Sequence, residues 1–436
     1  MRTRARHFDE LRQFCAETPL IDCHDHSAAC GPKYADAVQV VASGYFPSDL
    51  HSASSDAEMA VIQDTTRPLE ERWPALERAW KRTRFTGYGQ VTQRVLREFY
   101  GEGELTLAAL RRMQERLLDL TDGAIFEGIL DKARIAARLE DVWPDVRRVV
   151  DGTLEVSPRG RIVISLPGLH AVRDYNGVQQ VGAALGRTVT TLDEYLDVCR
   201  QLFEAHKRFG AVAFKDQSAY SRSLEYGNPA RAEAEAVFNW FMEDPRRSAS
   251  YPDGVRPLDD YLFHAFLRMA RDLDLPVQVH TGHMAGVRND IAKTNAVGLT
   301  RLLELHRDVR FDLFHANWPY SGEVLYLAKN YPNVAIDFCW ANIIDPIYCQ
   351  NLFMQALSAV PHGKVHAYGS DYGGSVDRAW AHAQIARDNV AIALANLVDM
   401  EYVDLEGAKE IARAWLFDNA NGFFRLGVDP EAARVR

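Results

Sequence analysis

The chain of 436 residues has a formal net charge of -10 and a pI near 5.8, which leaves no broad basic field for nucleic acid or an anionic membrane surface. Small molecules or proteins are the partners that remain. Six dispersed cysteines (Cys15, Cys23, Cys30, Cys199, Cys339, Cys349) form no Cys-x-x-Cys pair, which excludes a zinc ribbon or a thioredoxin-like motif. The stretch from Met1 to Glu17 lacks the apolar run of a signal peptide, and no later stretch approaches a membrane span, so a cytoplasmic protein with reduced thiols is expected.

The first β-like run, Leu20 to Cys23, follows Pro19 and leads straight into His24-Asp25-His26. Strand side chains alternate faces, so His24 and His26 point the same way, as two ligands of one metal ion must; a helix would splay them by about 200°. Residues 40–125 break the rhythm with helical patterns such as Leu105 to Leu120 and with Trp73, Trp80, Phe85 and Tyr88. From about residue 130 onward, β-like runs alternate with amphipathic helices: Arg134 to Leu139, Arg161 to Leu166, Ala211 to Phe214, Pro276 to His280, Arg310 to His315, Asn333 to Phe338 and Lys364 to Gly369. With the first run they make eight. One of the intervening helices is marked by Leu262, Phe266, Met269 and Leu273 and ends before Pro276.

Eight strands alternating with helices point to an α/β fold, a (β/α)8 TIM barrel built from residues 1–39 and 126–436, with residues 40–125 as a helical insertion after strand one. An open doubly wound sheet would carry a glycine-rich phosphate turn where His24-Asp25-His26 stands. Loops at the C-terminal ends of barrel strands surround the active site, so the insertion is read as a lid or an oligomer contact, with Trp73 and Trp80 alternatively forming a satellite core. A homo-oligomer is expected.

In a barrel, chemistry projects from the C-terminal ends of the strands. His24 and His26 occupy that place on strand one, Lys215 on strand four, His280 on strand five, His315 on strand six and Asp371 after strand eight. Imidazoles with a carboxylate suit one or two divalent ions, zinc above all, with a coordination position left for water or substrate. Metal binding acidifies that water into a nucleophile, and Asp371 can both ligate the ion and shuttle the proton to the leaving group. His315 binds a second ion or polarises the substrate carbonyl. Arg222, Arg288 and Trp340 are candidate substrate contacts, the arginines for a carboxylate. His283 lies three residues after His280, and only a sharp turn at Gly282 would bring it inward. His366 reads as a core or interhelix residue, and His51, His170, His306 and His382 carry no argument beyond their type. Gly369-Ser370-Asp371-Tyr372-Gly373 has Asp where a nucleophile elbow needs Ser, which speaks against a serine hydrolase.

This ordered set resembles the amidohydrolase superfamily from about residue 18 to 426. The wording Phe214-Lys215 with Ala219-Tyr220 and Arg222, then His280-Thr281-Gly282, His315-Ala316-Asn317-Trp318-Pro319-Tyr320 and Asp337-Phe338, is similar to the amidohydrolase-related branch that includes domains fused to glutamine-synthetase-like proteins. The long insertion, and Arg288-Asn289-Asp290 after the strand-five histidine, resemble uronate isomerases. Those enzymes carry an Asp-Ser-Arg-Ser run after strand eight; this chain has Asp371-Tyr372-Gly373-Gly374, which argues against uronate isomerisation. For Lys215 the resemblance implies either a carboxylated lysine bridging two metals or a salt bridge to substrate. The expected activity is metal-dependent hydrolysis of a C–N or C–O bond in a small carboxylated molecule. A uronate-isomerase-like isomerase, a decarboxylase or lyase on the same scaffold, and a non-catalytic binding protein are the alternatives.

Overall fold

A computed structural model describes residues 7–27, 30–141 and 146–430; the first six residues of the segment read above as free of a leader lie outside them. Eight parallel strands pair in sequence order. They are β1 (Leu20–Asp25), β2 (Ile135–Glu140), β3 (Gly160–Ser165), β4 (Ala213–Asp216), β5 (Val277–Val279), β6 (Phe311–Leu313), β7 (Val334–Asp337) and β8 (Val365–His366). The sheet curls into a (β/α)8 barrel, and the seam between β8 and β1 is bridged by main-chain bonds. Cys23 N–H donates to Tyr368 O at 3.0 Å, Asp371 N–H to His24 O at 2.8 Å and His26 N–H to Tyr372 O at 3.2 Å. These bonds belong to the segment that carries Asp371, so closing the barrel also delivers Asp371 to the β1 histidines.

Several strands are shorter than the sequence pattern suggests. β5 ends at Val279 and β6 at Leu313, so His280 and His315 stand one and two residues past the ladder, and β8 stops at His366. After β6 the physical reason is local backbone geometry, since His315, Ala316 and Asn317 all have positive φ (61°, 47° and 53°); Trp340 (59°) and Asp371 (58°) share it further past β7 and β8. Such angles cannot continue a strand. Strained backbone at three successive strand ends is characteristic of positions held for function.

Small and branched side chains fill the lower bore. Ile21, Cys23, Ala137, Leu139, Val163 and Ala213 pack on Phe417, Ala420 and Phe424 of the C-terminal helical segment. Arg310, just before β6, donates to the carbonyl of Phe423, which places this plug at the N-terminal end of the bore, opposite the strand ends that carry the histidines. The helix Arg256–Asp272 packs outside with Leu262, Phe266 and Met269 buried.

Between β1 and β2 the described residues form seven helices, from Ala37–Val41 to Gly123–Ala133. They are pinned by buried contacts: Trp80 packs edge-on against Phe46 with ring centroids 5.7 Å apart, and buried Arg72 binds Asp36 and the Ile62 carbonyl. The pattern over Leu105 to Leu120 is helical only across Leu107–Gln114. No helix among the described residues is long and apolar enough to cross a membrane, and all six cysteines are unpaired.

Candidate metal centre

Strand alternation brings His24 and His26 together, and the left-handed turn at Asp371 adds a carboxylate. His24 Nε2 and His26 Nε2 lie 3.2 Å apart, and Asp371 Oδ1 is 3.5 Å from the first and 3.1 Å from the second. A tetrahedral zinc shell with bonds of about 2.0–2.1 Å has ligand-to-ligand separations of about 3.3 Å. The three atoms therefore already stand at the spacing of a coordination shell, and the donor set fits a divalent ion. His26 Nδ1–H donates to the Asp141 carbonyl at 2.8 Å, which holds the ring with Nε2 turned toward the candidate ion position, as in metal-ligating histidines.

A second pair stands across Asp371. His315 Nε2 is 3.0 Å from His280 Nδ1 and 3.9 Å from Asp371 Oδ2. Each ring is held from behind, His315 Nδ1 by the Cys339 carbonyl at 2.9 Å and His280 Nε2 by the His283 carbonyl at 2.8 Å. One carboxylate thus faces the β1 pair through one oxygen and His315 through the other.

Burial, then the field of Lys215, pushes the pKa of His24 well below the ordinary imidazole range and that of His280 down to about 3. Both rings are neutral, the form a metal needs. At His26 burial opposes the charged form, but the hydrogen bond and charge of Asp371 outweigh it and lift the pKa to about 9. Lys215 is buried with its Nζ 3.5 Å from the centroid of the Phe314 ring, and desolvation lowers its pKa despite the nearby Asp371, Cys339, Asp141 and Asp216.

Trp340 reaches the centre, its ring 5.2 Å from His315, but it is covered. Tyr45 stacks on it at 4.2 Å and Tyr88 lies beyond at 6.4 Å. Tyr45 also donates through its hydroxyl to the Asp371 carbonyl. Both tyrosines come from the helical segment between β1 and β2. Gly282, with φ +68°, makes the sharp turn that carries the His283 ring to 4.9 Å from Trp340. A Cβ at Gly282 would stand 2.4 Å from the Trp318 carbonyl oxygen, so only glycine fits. His366 is buried in the bore; His170 is engaged by Asp216 and Asp259, and His382 by the Ser370 carbonyl.

The two arginines expected to meet a substrate carboxylate do not join this cluster. Arg222 is buried against Asp260 at 2.5 Å and Asp259 at 3.3 Å, with its guanidinium over Tyr226. Arg288 is 71 % exposed and binds Asp56 at 2.8 Å. Arg222 is claimed by buried acids and Arg288 by an exposed one, and these acids sit on elements remote in sequence. Conversely, Asp141, Cys339 and Tyr45, not assigned to the site from the sequence, belong here, as does Tyr220, quoted above only within a motif, whose ring is 4.8 Å from His280. The Asp141 carboxylate is buried with no hydrogen-bond partner among the described residues, and one of its oxygens lies within 4.8 Å of ligand atoms of His24 and His26. Asp141 directly follows β2, so the strand-end rule would have found it.

Residues 21–426 match the family model described as Amidohydrolase. The chain is 23% identical over 450 aligned positions to Protein fluG of Emericella nidulans, covering 98% of this chain and 48% of that protein, so it spans about half the length of this relative. Among solved structures, uronate isomerase from Thermotoga maritima superposes with a TM-score of 0.77 at 15% identity, over 96% of this chain and 97% of that one. A Lactobacillus casei protein designated a metal-dependent hydrolase superposes at 0.67 with 18% identity, over 98% and 99%. At these identities the structural matches establish a shared fold, a scaffold that carries both hydrolases and isomerases.

Proposed function

The chain belongs to the amidohydrolase family, and from that premise we propose that it is a metal-dependent hydrolase cleaving a C–N or C–O bond in a small molecule. His24, His26 and Asp371 would hold the ion, with Asp141 as a further oxygen donor and His280 and His315 available to a second ion or to the substrate carbonyl. When bound, a divalent ion such as zinc supplies Lewis acidity, acidifying a water and polarising a carbonyl.

The observation that carries the reading is Asp371. Its Oδ1 faces the β1 histidines and its Oδ2 faces His315 at 3.9 Å, so one carboxylate borders both donor sets. Such a group accepts the proton of an attacking water and returns it to the departing nitrogen or oxygen. His315, neutral and anchored by the Cys339 carbonyl, offers its Nε2 edge to the substrate. Tyr45 and Tyr88 cover Trp340, and the Asp371 side chain is only 8% exposed; the helical segment after β1 acts as a cap over the mouth. With Arg222 and Arg288 both engaged elsewhere, a substrate carboxylate would be met by Lys215 as a cation; once carboxylated, Lys215 would be an anion and serve instead as a further metal ligand.

The test is Asp371→Asn with metal content measured alongside turnover of a panel of carboxylated amides, esters and lactones. The amide keeps the size and one oxygen but cannot accept a proton, so kcat is expected to fall on the order of 10²–10⁴-fold with little change in KM. A metal-replete Asp371→Asn protein turning over at the parent rate would refute the proton-shuttle role.

A second reading, isomerisation of a uronate-like hydroxycarbonyl acid, is favoured by the fold match to a uronate isomerase. The Asp371-Tyr372-Gly373-Gly374 wording weighs against it. Turnover in ¹⁸O-water separates the two, because hydrolysis puts solvent oxygen into the product at the cleaved bond and proton-transfer isomerisation does not.

A further inference from the structure

Beneath the His/Asp cluster the bore holds a second polar layer. Cys23 of β1, Gln278 of β5, Asp312 of β6, Asp337 of β7 and His366 of β8 are all fully or almost fully buried there. Below them His366 rests on the plug, 4.9 Å from the Phe423 ring and 5.6 Å from Phe424. Two of these side chains spend one polar atom on the framework and leave the other bare. His366 Nδ1–H donates to Asp312 Oδ1 at 2.9 Å, and Asp337 Oδ1 accepts the Cys339 N–H at 2.7 Å. The remaining atoms, His366 Nε2 and Asp337 Oδ2, are buried without a hydrogen-bond partner among the described residues. Cys23 Sγ completes the set: ligand atoms of Cys23, Asp337 and His366 lie within 4.8 Å of one another.

Bare buried polar atoms are costly, and burial together with the charge of Asp312 pushes the Asp337 carboxyl well above the ordinary carboxylate range. Among the described residues no lysine or arginine forms an ion pair with Asp312 or Asp337. Gln278 donates through Nε2 to the Cys23 carbonyl at 2.9 Å and to Asp312 Oδ2 at 3.3 Å, which leaves its own Oε1 bare as well.

We propose that this layer is a second metal site, distinct from the mouth of the barrel, that takes one zinc-class ion through Cys23 Sγ, Asp337 Oδ2 and His366 Nε2. A thiolate, an imidazole and a carboxylate form a donor set that zinc accepts, and Gln278 Oε1 is the candidate fourth ligand. Asp312 orients His366 from behind, the carboxylate–histidine–metal arrangement seen at zinc centres. A site closed by protein ligands and shut from solvent is structural: it ties β1, β7 and β8 together one level below His24. This inference does not depend on which reaction the upper centre performs.

The experiment uses the full chain expressed with zinc or cobalt in the medium. In a His24→Ala/His26→Ala variant, which removes the β1 ligands of the upper centre, the equivalent of metal held by the lower layer should remain. Adding Cys23→Ala or His366→Gln should remove it, whereas adding Cys339→Ala should not. The cobalt form should show thiolate-to-metal charge-transfer absorption that disappears with Cys23→Ala alone. X-ray absorption on the unmutated zinc protein should find a sulfur scatterer at about 2.3 Å, a readout that stands even where a variant fails to fold. A folded double variant without metal, a zinc protein without a sulfur scatterer, or a sulfur signal that survives Cys23→Ala would each overturn the proposal.

Discussion

Arg138 is the position where removing one side chain should reveal how the metal-binding strand is held. Its guanidinium is fully buried between β1 and β2, with Nη1 3.2 Å from Asp25 Oδ1 and Nη2 2.7 Å from Glu140 Oε1. Asp25 lies between His24 and His26 and is tied to the segment that follows β8 by the Ser370 hydroxyl at 2.8 Å. Arg138→Met keeps most of the volume but leaves two buried carboxylates facing each other, a loss of about 3–5 kcal/mol for a broken buried ion pair. The loss should depend on pH with a definite sign. Burial raises Glu140, Arg138 lowers it and Asp25 raises it, with a net pKa of about 7 against an ordinary 4.5. A carboxylate raised in the folded state stabilises most below its unfolded pKa and loses that contribution as pH rises through the folded value. Without Arg138 the folded value climbs further. The deficit of Arg138→Met should therefore widen above about pH 7 by roughly 1.4 kcal/mol per unit. Urea unfolding near pH 6 and pH 8, with zinc content measured on the same samples, reads both effects. Arg138→Lys should recover part of the loss, and Arg138→Met/Glu140→Gln should flatten the pH dependence. A deficit below about 1 kcal/mol that is the same at both pH values would refute the reasoning.

Three further outcomes follow from the site. Because metal must displace the proton that Asp371 holds on His26, whose metal-free pKa is about 9, apparent affinity should rise about tenfold per pH unit from pH 6 to pH 8; competition titrations showing a flat dependence would contradict this. Gly282→Ala places a Cβ 2.4 Å from the Trp318 carbonyl oxygen at a φ of +68°, so it should cost about 1–3 kcal/mol or more and depress turnover by displacing His280. An unchanged Tm with unchanged kcat would show that the loop yields freely. Tyr45→Phe deletes the hydroxyl that donates to the Asp371 carbonyl, worth about 0.5–1.5 kcal/mol; kcat should fall while bound metal stays constant, and a loss of metal instead would make Tyr45 a prop for the ligands rather than part of the cap.

The alternation of β-like runs and helices was enough to specify the barrel, because burial on both faces of parallel strands writes a local pattern that needs no knowledge of distant partners. The same locality made His24, His26, His280, His315 and Asp371 visible, since each sits at a strand end and the barrel topology sends every strand end to one rim. Asp141 and Cys339 obey that rule and were legible on the same terms. What the chain order could not display is pairing across long separations. Arg222 and Arg288 have the right chemistry near the right strands, but Asp259, Asp260 and Asp56 claim them, and only folding brings those acids within reach. Tyr45 and Tyr88 reach Trp340 for a similar reason, some 295 and 252 residues away in sequence yet 4.2 Å and 6.4 Å in ring separation. The layer of Cys23, Asp337 and His366 has no sequence signature at all, because its members come from three strands and meet only when the sheet closes. Strand periodicity acts between near neighbours and survives in the linear code, whereas charge pairing, ring stacking and the meeting of ligands across a bore act through space and exist only once the barrel has formed.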